Sequence, residues 1–275
     1  MILTDCHLHL ADLIKFQKNP YSSLFSDFSG LEVELSSCAH NPSDYKIQKK
    51  LKFELEEKFS HIKILLAFGL HPQKKEKSLC IQNAEFLESL LKNNEICAIG
   101  ECGFDLYSAD DKMNVAEQEK FFLICLALAQ KYSVPLVIHN RRGIKYIFKY
   151  IKELSKIESV IFHGFSYGAN EAKFILKNNV NAYFSFGKNL LRSSQKYEKN
   201  FISLPQKTLL LETDSPFMQL SGEGYGSETS ILEIYKKAAL LQKKNPDEFA
   251  EIIAQNFENA FLLRNWFFLK WKFYW

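Results

Sequence analysis

The 275-residue chain is 47% hydrophobic and 24% charged, the ordinary balance of a folded protein with a large core, and its net charge of +3 neither demands nor excludes a polyanionic partner. No apolar stretch is long enough to cross a bilayer, and no basic segment, apolar run and cleavage site open the sequence, so a cytoplasmic protein without a membrane span or secretory signal is expected. The six cysteines, Cys6, Cys38, Cys80, Cys97, Cys102 and Cys125, are scattered without C-x-x-C spacing, which argues for reduced packing residues rather than disulfides or a structural zinc site.

In chain order, short runs rich in β-branched and aromatic residues predict strands at Ile2–His9, Leu31–Ala39, Ile62–Leu70, Ile96–Glu101, Val134–His139, Ser159–His163, Asn181–Phe186 and Thr208–Thr213. The stretches between them can each hold a helix. Helical spacing is clearest in Glu117–Lys131, with Phe121, Phe122, Cys125, Leu126 and Ala129 on one stripe, and in Ile231–Leu241. Eight β/α repeats predict an α/β fold of the (β/α)8 TIM-barrel type, here one domain over residues 1–275. The Gly-rich Ser221–Ser227 stretch reads as a loop at the barrel rim, and an aromatic extension occupies about 265–275.

The first strand carries Asp5-Cys6-His7-Leu8-His9. Strand alternation predicts Asp5, His7 and His9 on one face, with Cys6 and Leu8 on the other. Two imidazoles converging at a strand end suit a divalent metal, although an isolated H-x-H is as often two unrelated histidines. Glu101, His139, His163 and Asp214 also stand where strands end and loops begin, which is where barrel enzymes keep catalysis. Each alone could be a helix cap or a satisfied polar partner. Accidents on five separate strands are the weaker reading.

The segments around these residues are D-C-H-L-H at Asp5–His9, G-L-H-P at Gly69–Pro72, A-I-G-E-C-G-F-D at Ala98–Asp105, P-L-V-I-H-N-R at Pro135–Arg141, F-H-G-F-S at Phe162–Ser166, L-L-L-E-T-D-S-P at Leu209–Pro216 and N-F-E-N-A at Asn256–Ala260. Together they resemble the TatD-like deoxyribonucleases, within the amidohydrolase superfamily of metallo-dependent barrel hydrolases, over nearly the whole chain. The resemblance implies two divalent metal ions (Zn, Mn or Mg). His7 and His9 would hold one, His139 and His163 the other, Glu101 would bridge them, and Asp214 would complete the first site and take the proton of the attacking water. Two cations on the order of 3.5–4 Å apart need such a shared carboxylate or hydroxide to offset their repulsion. It further implies that His71 contacts substrate phosphate and that Arg141 grips a phosphate oxygen.

Asp105 is expected to hydrogen-bond substrate or a nearby loop, Asn140 to contact substrate, and Glu212 to be a partner of the ligands. Cys102, Phe104 and Asn140 depart from the family pattern and are expected to alter the pocket lining. His40 and His61 match no metal position and read as surface residues. The lysine clusters Lys15–Lys18, Lys49–Lys52 and Lys74–Lys77 read as solvated faces, with Lys74–Lys77 near enough to His71 to steer a phosphate backbone. The aromatic Asn265–Trp275 tail admits packing on the barrel, an oligomer or membrane-surface contact, or base stacking. The expected activity is hydrolysis of DNA phosphodiester bonds from single-stranded or frayed ends, as a 3′-5′ exonuclease. The rivals are hydrolysis of an amide, lactone or aminoacyl ester at the same centre, and an inactive barrel that acts as a binding protein. Oligomeric state is left open by the sequence.

Overall fold

The computed structural model describes residues 1–16, 25, 28, 30–73, 77–109, 114–192 and 194–261. The aromatic tail and residues 74–76 lie outside the described residues. The apolar runs form β1 (Ile2–Leu8), β2 (Glu32–Ala39), β3 (Ile62–Phe68), β4 (Ala98–Asp105), β5 (Leu136–Arg141), β6 (Val160–Phe162), β7 (Ala182–Phe186) and β8 (Leu209–Leu211). Every neighbouring pair is parallel and the strands follow sequence order around the sheet. This is a (β/α)8 barrel. Relative to expectation, β4 runs past Glu101 to Asp105, while β6 and β8 shorten to 3 residues each.

The helices are α1 (Leu10–Phe16), α2 (Pro42–Lys58), α3 (Lys77–Lys92), α4 (Val115–Tyr132), α5 (Ile144–Lys149), α6 (Ile151–Leu154), α7 (Ala169–Lys177), α8 (Gln195–Ser203), α9 (Ile231–Leu241) and α10 (Pro246–Ala260). Among the described residues no helix is long and apolar enough to cross a membrane. Asn41-Pro42 and Asn245-Pro246 begin α2 and α10: each Asn side chain accepts from a backbone N–H in the first turn, and each proline supplies the helical φ where no N–H is needed. The main core lies between strands and helices. A second buried cluster takes Cys6, Cys38, Ala67, Ala98, Val137, Ile161, Tyr183 and Leu210 from β1 to β8 in turn and fills the barrel interior, joined by Phe257 and Phe261 from the end of α10.

Two irregularities shape the site. Asp5 pairs with Leu35 and Leu8 with Ser37, so β1 takes three steps against two of β2; likewise Ile99 and Cys102 in β4 face Leu136 and Ile138. One extra residue in each strand is a β-bulge, which breaks alternation and re-aims side chains. Alternation therefore misplaces Cys6: it points into the barrel, 3.0 Å from Ser185 Oγ, while Leu8 faces the helices. Cys102 and Phe104 also part from expectation. Both are buried against the helical layer, Phe104 with its ring 5.2 Å from those of Phe122 and Tyr146, so neither lines the pocket.

The last strand meets the first through irregular backbone rather than a ladder. His9 N donates to Ser215 O (2.8 Å) and Asp214 N to His7 O (2.9 Å), while the Asp5 carboxylate accepts from Thr213 N (3.0 Å) and Thr213 Oγ1 (2.6 Å). On the β4 side, Gly103 holds φ +138° opposite His139, and a Cβ there would lie 2.1 Å from the His139 carbonyl oxygen. Gly103→Ala is expected to lower stability by roughly 2–4 kcal/mol through strain and forced strand separation. Gly222→Ala, where an added Cβ meets nothing within 4 Å, is expected to cost only about 1 kcal/mol. Chemical denaturation of the two variants checks this, and equal midpoints would refute it.

Candidate metal centre

At the C-terminal end of the barrel, the bulge in β4 presents Glu101 to the axis, with its carboxylate 3% exposed. Its two oxygens face different imidazoles. Oε1 lies 3.2 Å from His7 Nε2, 3.1 Å from His9 Nε2 and 3.2 Å from His40 Nε2. Oε2 lies 2.6 Å from His163 Nε2, 2.9 Å from His139 Nδ1 and 3.8 Å from His71 Nε2. Asp214 approaches the first set, its Oδ1 3.5 Å from His9 Nε2 and 3.9 Å from His7 Nε2. It holds φ +51°, a left-handed conformation that Asp tolerates better than most residues, locked by His7 O behind it and by the Phe217 and Met218 N–H groups that its own carbonyl accepts.

A further layer fixes the rings. His9 Nδ1 donates to the Cys38 carbonyl at 3.1 Å, since a carbonyl only accepts; Nε2 faces the site and offers its lone pair there only once the proton it holds in the metal-free protein is lost. His139 Nε2 is 3.0 Å from Asp105 Oδ2, which leaves Nδ1 for the centre by the same logic. His163 Nδ1 is 3.8 Å from Glu212 Oε1, whose oxygen accepts from Gly164 N at 2.7 Å. His71 is set the other way round: Nδ1 accepts from Gln73 N at 3.2 Å, so Nε2 carries the proton and donates into the cleft. Burial holds His71 well below the ordinary histidine range, hence neutral.

Burial alone would lift the Glu101 carboxyl, but the charge on His163, foremost among the surrounding imidazoles, and the hydrogen bond from His139 hold it well below the carboxylate range. Burial opposes the charge on His9, yet Asp214 and Glu101 raise it to about 10. Burial likewise opposes His163, which Glu101 lifts well above its usual range. Imidazole nitrogens at roughly 2.0–2.1 Å from a tetrahedral ion stand about 3.3 Å apart. The His7 and His9 Nε2 atoms are 3.2 Å apart, and His139 Nδ1 and His163 Nε2 are 3.0 Å apart. Two such pairs on the two oxygens of one carboxylate fit divalent ions: His7, His9, Asp214 and Oε1 could hold one, and His139, His163 and Oε2 another.

The remaining expectations divide. Arg141, 44% exposed at its side chain, lines the cleft and lies over the Tyr107 ring at 4.1 Å. Asn140 lines it too; its Oδ1 accepts from Gly143 N and Tyr167 Oη, while its buried Nδ2 has no hydrogen-bond partner. Asp105 is fully buried behind His139: Gln73 Nε2 donates to the same Oδ2 at 2.8 Å, Arg141 Nη1 lies 3.5 Å from it and Tyr107 N donates to Oδ1 at 2.9 Å, so Asp105 serves the loop and bears on a substrate through His139, Gln73 and Arg141. His40 overturns the surface reading: it stands in the site at 14% side-chain exposure. His61 is not among the cleft residues; its ring packs 5.7 Å from Phe59. One signal could have found His40, its place directly after an apolar strand and before an Asn-Pro helix start.

Because His9 keeps its proton to about pH 10, loading the metal-free protein with Zn2+ at pH 7 is expected to release protons, and affinity should weaken on acidification. Calorimetry in buffers of different ionisation heat measures this; a heat independent of buffer would contradict it.

Comparison with known proteins agrees with the geometry. The profile of the TatD related DNase family matches residues 4–262. An uncharacterized metal-dependent hydrolase of Haemophilus influenzae is 28% identical over 273 residues, covering 93% of this chain and 97% of the relative. The corresponding hydrolase YabD of Bacillus subtilis is 29% identical over 203 residues, 72% of this chain and 77% of its own. The crystal structure of the TatD homologue YjjV from Escherichia coli superposes with TM-score 0.76 at 23% identity, covering 94% of this chain and 97% of that one, which speaks for the fold. The chain belongs to the TatD family of metal-dependent hydrolases.

Proposed function

We propose that this hydrolase is a deoxyribonuclease that cleaves phosphodiester bonds at single-stranded or frayed DNA ends in the 3′-5′ direction, with two divalent ions held by His7, His9, His139, His163, Asp214 and the bridging Glu101. The observation that carries the DNA reading is the wall of the cleft above Glu101. Its volume of about 1220 Å³ exceeds the usual small-molecule pocket, and Arg141, Arg142, Arg192 and Lys196 line it together with Tyr107 and Phe217. Tyr107 and Phe217 are 55% and 53% exposed, and both Arg141 and Arg142 lie over the Tyr107 ring. Cations that track a backbone beside aromatic faces that stack bases are the means by which single strands are bound.

Bound divalent ions supply a water of lowered pKa and neutralise charge on the phosphoryl oxygens. The protein's own groups do the rest. Asp214, nearest the cleft of the two carboxylates at 17% side-chain exposure, is drawn below its usual range against its burial by His9, His163 and His7. It is therefore ionised at neutral pH and accepts the proton of the attacking water. His71 donates from Nε2 and Arg141 from its guanidinium to phosphate oxygens, and Asn140 Nδ2 offers another donor on the same wall.

The test is digestion of 5′-labelled single- and double-stranded DNA with Mg2+, Mn2+, Zn2+ or EDTA. The expected result is a metal-dependent ladder that shortens from the 3′ end and falls roughly 10²–10⁴-fold in Asp214→Asn. Absence of cleavage with every metal would overturn the DNA reading and turn the search to ester, lactone and amide substrates. Tyr107→Ala and Phe217→Ala are each expected to weaken single-strand binding by about 1–3 kcal/mol with metal content unchanged. Fluorescence anisotropy on a labelled oligonucleotide measures that; equal affinities would remove the stacking role.

A further inference from the structure

We propose that His40 is a further ligand of the ion on the Oε1 side of Glu101, an inference that rests on the two-ion reading above. Three imidazole nitrogens surround that oxygen at nearly one distance: His7 Nε2 and His40 Nε2 at 3.2 Å and His9 Nε2 at 3.1 Å. The His40 ring sits 5.1 Å from that of His9 and 4.8 Å from that of His71, and lines the cleft. Its backbone is pinned, since its carbonyl accepts from Asn83 Nδ2 at 3.0 Å and the Asn41 cap of α2 follows it directly. Cys38 Sγ is 3.8 Å from the same Nε2, but its thiol is engaged with the Gly100 carbonyl, which leaves the imidazole as the donor.

This addition makes the two halves of the centre unequal. His7, His9, His40, Asp214 and Glu101 would supply one ion with five protein ligands, while His139, His163 and Glu101 would supply the other with three, leaving room for substrate or water; Arg141 and Asn140 line the cleft near that second half. A closed set suits an ion that stays, and an open set suits one that meets substrate. Three imidazoles also favour Zn2+, Ni2+ or Co2+ over Mg2+ in the closed half, because magnesium prefers carboxylate and water oxygens.

The test is titration of the metal-free full-length chain with Co2+, followed by visible absorption and by metal content after dialysis, for wild type, His40→Ala, His40→Asp and His61→Ala. Wild type and His61→Ala are expected to bind two ions. His40→Ala should retain one and bind the other on the order of 100-fold more weakly, with a changed d–d spectrum. His40→Asp should regain at least roughly tenfold of that loss, because a carboxylate can replace an imidazole at the ion. If His40 merely hydrogen bonds Glu101, Asp at that position adds repulsion and binds more weakly than Ala. That result, or an Ala variant indistinguishable from wild type, overturns the proposal while leaving the two-ion centre standing. A wild-type chain that binds no Co2+ overturns both. Should the variants fail to fold, proton NMR of Co2+-loaded wild type decides: five shifted imidazole N–H signals are expected, and four exclude His40.

Discussion

A carboxylate 3% exposed in the middle of a barrel governs this structure. An isolated buried anion is expensive enough that a protein neutralises it or surrounds it with cationic partners. Glu101 takes the second course, with imidazoles on both oxygens, and it stays ionised although burial opposes this. Each imidazole drawn in this way must itself be held, which explains the outer ring of acceptors: the Cys38 carbonyl behind His9, Asp105 behind His139 and Glu212 beside His163. The centre is thus built outward from one charge, in alternating layers of opposite sign.

The same constraint ties the site to the closure of the fold. His7, His9 and Asp214 are the residues through which the two ends of the sheet meet, by backbone hydrogen bonds between the end of β1 and the turn after β8. Asp214 is held in a left-handed turn by these bonds, so barrel closure and the aim of its carboxylate are one event. The bulge in β4 does similar work on the opposite wall. Without the extra residue, alternation would swing Glu101 and its neighbours to other faces. Glycines at positions 100 and 103 let β4 approach β5 closely enough for this, since a Cβ at Gly100 would lie 2.4 Å from Val137 Cβ.

Much of this is legible in the amino-acid sequence. Runs of apolar residues spaced by helical segments predict eight strands in sequence order, and the residues with metal chemistry stand at strand ends because that is the only part of a filled barrel open to a substrate. What alternation cannot reveal is a bulge. The extra residue in β1 sends Cys6 into the interior, and Cys102 and Phe104 turn out to pack on the helical layer, since only register shows which face each residue takes. His40 is harder to read: it stands one residue beyond β2, where the period of two no longer applies, and its only sequence signal is that place between an apolar strand and an Asn-Pro helix start. The partner that identifies it, Glu101, is 61 residues away and comes into view only when the barrel closes.

The centre and the cleft wall answer different questions. A metal centre stabilises charge on an oxygen, whether that oxygen belongs to a phosphoryl group or a carbonyl, so membership of a metal-dependent hydrolase family does not by itself choose the substrate. Choice has to come from groups that touch the rest of the molecule. Here these groups are unevenly chosen: four cationic side chains and two exposed aromatics sit among the cleft residues. Small neutral esters, lactones and amides would gain little from several cations and would leave the aromatic faces in water. A polyanion with planar bases would engage both kinds of group at once, and the chain's modest net charge would be no obstacle, because phosphate contacts are local. The proposed preference for a strand end over a small carbonyl compound therefore rests on the wall of the cleft, and the residues around Glu101 would serve either substrate alike.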